Sequence, residues 1–322
     1  MSQQPALTAT GALPRPRGLG FDRHVPPRGY AWWYVDALSD DGADALTIIA
    51  FIGSVFSPYY AWAGRTDPEH HNALNVALYR KRGSRWSMTE RGRSALTRTG
   101  DSLQIGPSGL RFDGDALELD IHERGWPIPR RVRGRVRVVP EVSGGEALVL
   151  SQSGAHHWWP IAPRARVEVR FEDPVVSWSG TGYLDANWGA APLEDDFQSW
   201  TWSRAPLKRG AAVLYDVTPR NGPASSMALR FDGGSVDRFE PPPRAPLPSS
   251  LFGISRVTRT ETDTSVVKTL TDAHFYARSV VRTRLCGEDV LGVHESLELD
   301  RFRTTWAKLM LPFRMPRRAS WP

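Results

Sequence analysis

Four stretches of this 322-residue chain alternate apolar and charged residues with a period of two. Val132, Val136 and Val138 fall on one face of such a run, and Arg133, Arg135 and Arg137 on the other. Ala165, Val167, Val169 and Phe171 alternate with Arg166, Glu168 and Arg170. Leu117, Leu119 and Ile121 alternate with Glu118, Asp120 and His122, and Leu297 and Leu299 with Glu298 and Asp300. Period two places successive side chains on opposite faces of a strand. One apolar and one charged face is the pattern of an antiparallel sheet with a wet side. Turn signals punctuate the runs at Asp113-Gly114, Asn221-Gly222 and Asp232-Gly233-Gly234. The chain is therefore expected to be all-β, a sandwich or barrel of antiparallel strands with few short helices. One helix is expected from Ser87-Met88-Thr89-Glu90, which reads as a capping box, to about Leu96. Another is expected over 302–311, ended by Pro312. Residues 240–248 are proline-rich and read as a stiff polyproline connector.

Charge narrows the partners. The net charge of +6 is unevenly spread. Residues 301–322 hold six basic and no acidic residues, and residues 1–30 hold four basic and one acidic. That leaves 31 basic against 34 acidic residues in 31–300, a net −3. A nucleic-acid binder needs a basic patch on its folded body, and strand arginines that alternate with apolar residues read as solvated exteriors. No nucleic-acid partner is expected. The single Cys286 excludes an internal disulfide and fits a reducing compartment. No basic start followed by an apolar run opens the chain. Its longest nearly apolar run, residues 45–56, falls short of the roughly 20 needed for a helical span. These features predict a soluble or peripheral protein.

Nucleotide-binding glycine motifs, the zinc motif H-E-x-x-H and the hydrolase elbow G-x-S-x-G are absent from the sequence. His70-His71 and His156-His157 are adjacent pairs, which on a strand point to opposite faces and do not easily give two ligands to one metal. The expectation is no cofactor and no metal.

The richest segment is 151–204. If 182–187 is extended, Tyr183, Asp185 and Asn187 share a face. If 155–159 is extended, His156 and Trp158 share one face, and His157 and Trp159 the other. Such a face carries a carboxyl group, an imidazole, a phenol and an indole. The chain also has 13 Trp, 8 Tyr and 12 Phe, many in tight groups such as Trp32-Trp33-Tyr34, Tyr59-Tyr60-Ala61-Trp62 and Trp200-Thr201-Trp202. Two readings stay open on spacing alone: aromatic core residues under a surface turn, or an aromatic-lined cavity.

The strings GYAWWYVDALSDDGADALTIIAFIGSVFSPYY, SGAHHWWPIAP, SGTGYLDANWGAAPLEDDFQSWTWSR and LDRFRTTWAKLMLPFRMPRR closely resemble the motifs of the carotenoid 1,2-hydratase (hydroxyneurosporene synthase) family, in the family's order. The resemblance runs from about Gly20 to Arg318. It implies two lipocalin-like antiparallel β-barrels in tandem, with a flexible basic tail at 1–20, barrels at 21–178 and 179–312, and a basic tail at 313–322. It implies addition of water across the terminal C1=C2 bond of an acyclic carotene such as neurosporene or lycopene, without a cofactor. It also marks Tyr183 and Asp185, with His156 and Trp158, as candidate catalytic positions. Trp32, Trp33, Trp159, Trp188, Trp202 and Tyr276 are candidates for binding the substrate.

Hydrating such an alkene needs a proton donor, tolerance of a tertiary cation, and a placed water. Asp185 is the expected acid, tuned by Tyr183 or His156, with Trp158 facing the cation and His156 taking a proton from water. An ordinary Asp is protonated in only about one molecule in a thousand at pH 7, so the site must be dry. Competing acids are Asp36, Asp272 and the run Glu194-Asp195-Asp196, which reads as a solvated loop. Two other functions remain as alternatives: a lipocalin-like carrier of a polyene, and a cofactor-free cyclase or isomerase on a terpenoid. A carotene must be collected from a bilayer, so the apolar and basic C-terminal segment is expected to meet anionic lipid. The expected location is cytoplasmic, peripheral to the inner or photosynthetic membrane, with the oligomeric state open.

Overall fold

The computed structural model describes residues 18–318. The first twelve strands run β1 Tyr30–Ser39, β2 Ala45–Ile52, β3 Asn72–Tyr79, β4 Arg85–Arg91, β5 Leu96–Arg98, β6 Ser102–Ile105, β7 Ser108–Phe112, β8 Leu117–Arg124, β9 Arg131–Val142, β10 Leu148–Val149, β11 His156–Asp173 and β12 Val175–Gly189. A second set follows: β13 Phe197–Pro206, β14 Ala211–Pro219, β15 Ser225–Asp232, β16 Ser235–Arg238, β17 Arg244–Leu247, β18 Arg256–Arg259, β19 Ser265–Ala273, β20 Tyr276–Leu285, β21 Glu288–Glu298 and β22 Arg317–Arg318. Thirteen strands form one sheet in the order β22-β4-β3-β2-β1-β12-β11-β9-β8-β7-β6-β5, with β10 paired to β11. Seven form a second sheet, β16-β15-β14-β13-β21-β20-β19, and β17 pairs with β18 apart from both. The larger sheet curls, so that β4 comes near β8 and β9.

The alternating runs behave as their period demands. Val132, Val136 and Val138 are buried with Val167, Val169, Leu117 and Leu119 inside the larger sheet. Their arginine neighbours pair across the outer face, Arg135 with Asp120 and Arg137 with Glu118. The expected turns form at Gly114, Gly222 and Gly233, each with the positive φ that glycine tolerates.

The all-β class with few short helices holds, as one large curled sheet facing a smaller one. The expected barrel boundary at 178 falls inside β12, which runs unbroken to Gly189 within the larger sheet. Residues 1–17 of the expected N-terminal tail, and 319–322 at the other end, lie outside the described residues. Residues 313–318 are anchored: Met315 is buried, and β22 pairs in parallel with β4.

Two helix expectations need correction. Ser87–Glu90 lies in strand β4, not in a helix. Pairing along the whole of β3 overrides the local capping pattern, and Glu90 is buried against His71 and Arg317 instead of capping anything. The C-terminal helix is broken in two, α3 Leu299–Phe302 and α4 Thr305–Met310, followed by a 3-10 turn at Leu311–Phe313. Thr304 makes the break, because its hydroxyl accepts from the Ala307 N–H and starts a new helix. Two other short helices are α1 Pro58–Trp62 and α2 Leu193–Asp196.

Strands β1 and β12 position the site. One face of each looks into the core of the larger sheet, through Trp33, Val35, Leu184 and Ala186. The other face looks toward the smaller sheet, through Trp32, Tyr34 and Tyr183, and meets Trp200, Trp202 and Tyr215. A second core is thus enclosed between the sheets, and it is unusually aromatic.

Candidate active site

The antiparallel register sets Asp185 directly opposite Tyr34, Tyr183 opposite Asp36, and Asn187 opposite Trp32. On the next strand Trp158 stands opposite Asn187. Period two then turns Tyr183, Asp185, Asn187, Trp158 and His156 to the same side, as the sequence predicts. Across the gap, Tyr215, Trp202, Glu295 and Arg278 lie abreast on adjacent strands of the smaller sheet.

Asp185 is buried, and its Oδ2 accepts two hydrogen bonds, from the Tyr183 hydroxyl at 2.8 Å and from the Trp158 indole N–H at 2.9 Å. The indole also reaches the Tyr183 oxygen at 3.1 Å. Asp185 Oδ1 has no protein partner among the described residues. No basic side chain among them pairs with this carboxyl. Burial pushes Asp185 up to about 8, against the pull of its two donors, with the charges of Glu295 and Asp36 pushing the same way as burial. With that value roughly nine molecules in ten are protonated at pH 7. Because Oδ2 already accepts two donors, Oδ1 is the oxygen left to carry a proton.

Aromatic rings surround this carboxylic acid. Tyr183 lies 5.0 Å from Trp202 and 6.1 Å from Tyr34, and Trp158 lies 5.4 Å from Tyr215, measured between ring centroids. Asn187 is hydrogen-bonded to Tyr215. The Trp202 indole N–H is buried without a partner among the described residues.

Beside the acid stands a second cluster of opposite character. Asp36 is buried between Arg204 and Arg278. Arg278 also pairs with Glu295, and the Tyr34 hydroxyl, with one proton to give, lies 2.9 Å from Asp36 and 2.8 Å from Glu295. Tyr276 is hydrogen-bonded to Glu295. Two arginines face two carboxyl groups, so the cluster balances, and it ties β1 to β13, β20 and β21.

The structure sorts the candidate residues. Asp185, Tyr183 and Trp158 come together, and Trp32, Trp202 and Tyr276 share their core. Trp33, Trp159 and Trp188 pack instead on the core of the larger sheet, on the opposite strand face. There Trp33 donates to the Leu19 carbonyl, Trp159 to the Gly145 carbonyl, and Trp188 stacks on His157. His156 does not reach Asp185. Its Nδ1 meets the Tyr30 hydroxyl and its Nε2 meets Asp196, both at 2.9 Å. Burial lowers its pKa, with Asp196 opposing.

The competing acids are accounted for differently than expected. The run 194–196 is a short helix, not a loop, and only in part solvated, since Asp195 is exposed and Glu194 is not. Glu194 is buried with Arg65, Asp195 pairs with Arg28, and Asp196 holds His156. Asp272 accepts from the Leu251 N–H of the loop before β18.

A family model described as carotenoid hydratase CrtC matches residues 48–322. The acyclic carotenoid 1,2-hydratase of Thiocapsa roseopersicina is 56% identical over 94% of this chain and 76% of that protein. The chain belongs to the carotenoid hydratase family. The acyclic carotenoid 1,2-hydratase of Rubrivivax gelatinosus is 52% identical over 93% of this chain and 76% of that protein. Among solved structures, an AttH protein of Nitrosomonas europaea superposes with a TM-score of 0.58 at 16% identity, over 91% of this chain and 98% of that one, which speaks for the fold alone.

In this carotenoid hydratase family member, the sequence reading missed Tyr34, Tyr215, Arg204, Arg278 and Glu295. Strand period gives the face of Tyr34 and Arg204. Nothing local says that the two faces meet, because Arg278 and Asp36 are 242 residues apart. The indole of Trp158 was expected to act through its ring, and it acts on Asp185 first as a hydrogen-bond donor.

Proposed function

We propose that this chain hydrates the terminal C1=C2 bond of an acyclic carotene, neurosporene or lycopene among them, with Asp185 as the acid. The observation that carries this reading is a buried carboxyl group with neutral donors only, boxed by aromatic rings. The Oδ1 proton goes to C2 of the alkene, and the electron pair of the double bond forms the new C–H bond. The positive charge is left on C1, which carries three alkyl groups. Indole and phenol rings facing that cation contribute about 0.5–2 kcal/mol each. Water adds to C1 and loses a proton. Asp185, now a carboxylate in a dry site, is the strongest base at hand and recovers it, so the acid is regenerated. Tyr183 and Trp158 stabilise the carboxylate during the cation's lifetime, because both donate to it. His156 serves here by position, since Tyr30 and Asp196 occupy both ring nitrogens. No step of this scheme calls for a metal or an organic cofactor.

The reading also requires contact with a membrane, because a long polyene does not dissolve in water. No helix of the described residues is long and apolar enough to cross one.

The test is incubation of the purified protein with lycopene or neurosporene in heavy-oxygen water, followed by mass analysis of the pigment. The expected product gains one water carrying the label. Pigment bound but unchanged would indicate a carrier, and a product of unchanged mass a cyclase or isomerase.

A further inference from the structure

The C-terminal segment divides its apolar residues between two sides. Phe302, Ala307 and Met315 are buried. Trp306, Leu309, Met310 and Phe313 are 43–66% exposed. Their spacing of three, one and three residues is that of a single helical stripe. Trp62 is 55% exposed and joins the same region, since it packs edge-on against Tyr59, whose ring lies 5.9 Å from the Arg317 guanidinium. A stripe of this kind on a protein surface marks a contact site.

Charge and position identify what covers it. Three residues beyond Phe313 the chain enters a groove of about 310 Å³ whose walls include Arg91, Arg124, Trp126, Pro316, Arg317 and Arg318. Four arginines meet two buried carboxylates there, Glu123 on Arg91 and Glu90 on Arg317, which leaves a surplus of two positive charges. Neither Arg124 nor Arg318 makes an ion pair among the described residues, although Arg318 lies near enough to Glu123 to favour its charge. Apolar prongs beside surplus cations fit an interface of acyl chains and anionic headgroups. A file of rings also leads inward behind the stripe. Phe302 touches Phe56 at 5.6 Å, Phe56 touches Phe51 at 6.2 Å, Phe51 touches Trp32 at 6.2 Å, and Trp32 lies in the core that holds Asp185.

We infer that the stripe of Trp306, Leu309, Met310 and Phe313 docks on an anionic lipid bilayer, with Arg124 and Arg318 on the lipid phosphates. This deepens the proposed carotene reaction and rests on it for its purpose, since the ring file then joins the docked end to the acid.

The experiment is sedimentation of the full chain with vesicles of phosphatidylcholine, with or without half phosphatidylglycerol. The wild type should bind the anionic vesicles at least tenfold more tightly than the neutral ones. Trp306→Ser/Leu309→Ser/Phe313→Ser, confirmed folded by its unfolding temperature, should lose at least tenfold in binding to anionic vesicles. Arg124→Gln/Arg318→Gln should erase most of the preference for phosphatidylglycerol. Wild-type failure to bind, or a triple variant that binds like wild type, overturns the docking surface. An unchanged lipid preference in the arginine variant overturns the role of the groove. The triple variant should also hydrate lycopene normally in detergent micelles and at least tenfold more slowly from vesicles. Vesicle binding needs no turnover. A wild type that binds but does not hydrate lycopene in micelles therefore counts against the reaction and not against the docking.

Discussion

Asp36 and Asp185 lie on paired strands, two residues out of register, and face the same inter-sheet core. Both are nearly inaccessible to solvent. Asp36 is gripped by two guanidinium groups, while Asp185 meets a phenol and an indole. The first arrangement fastens two sheets together. The second leaves a carboxylic acid that keeps its proton near neutral pH. Equal burial thus gives opposite chemistry, and what decides between them is whether the smaller sheet sends an arginine or an aromatic ring to that position.

The contrast breaks first at Asp185. Asp185→Asn keeps an oxygen to accept from Tyr183 and Trp158 but has no acid proton, so turnover should fall about a thousandfold while the protein stays folded. Near wild-type hydration by this variant would falsify the assignment of the acid. On the other side of the comparison, Arg278→Met removes a cation from a balanced cluster and strands a buried carboxylate. Urea unfolding should show a loss of about 3–5 kcal/mol. A loss under about 1 kcal/mol would mean that the cluster is not the fastener described here.

Smaller effects sharpen the picture. Activity should decline as pH rises through about 8, where Asp185 gives up its proton in the free enzyme. Tyr183→Phe removes one of the donors that favour the carboxylate, so this alkaline limb should move upward, with turnover reduced about tenfold. A limb that stays in place would disconnect Tyr183 from the acid. Stability should carry the same signature. The folded protein holds a proton on Asp185 that the unfolded chain releases above about pH 4. The contribution of this group is therefore complete at low pH and is lost as pH rises toward 8. Asp185→Asn has no such dependence, so its stability relative to wild type should grow by about 1.4 kcal/mol per pH unit over that window, read from urea titrations at several pH values. Parallel pH curves for the two proteins would contradict a raised Asp185.

Much of this was legible in the residues. Strict alternation revealed the strands, and an extended backbone put Tyr183 with Asp185 on one face of a strand and His156 with Trp158 on one face of another; only the family resemblance joined the two faces. Alternation could not say which side faced the second sheet. Both faces of β1 are apolar, so Trp32 and Trp33 looked alike, although only Trp32 shares the core of Asp185. Local patterns also misled where distant pairing overrode them. Ser87 to Glu90 has the composition of a helix start, and the ladder with β3 made it a strand. Of the acidic run at 194–196 Asp195 is exposed as its composition suggests, but the partners that bury Glu194 and hold Asp196, Arg65 and His156, lie far away in sequence.

The enclosure of Asp185 by Trp202 and Tyr215 has a kinetic consequence. Those rings come from the smaller sheet, so the surroundings of Asp185 are complete only once the two sheets pack together. Until the sheets close, Asp185 is an ordinary solvated carboxylate with no proton to give. Hydratase activity during refolding should therefore lag behind the recovery of β-sheet signal, and the lag would time the last step of assembly.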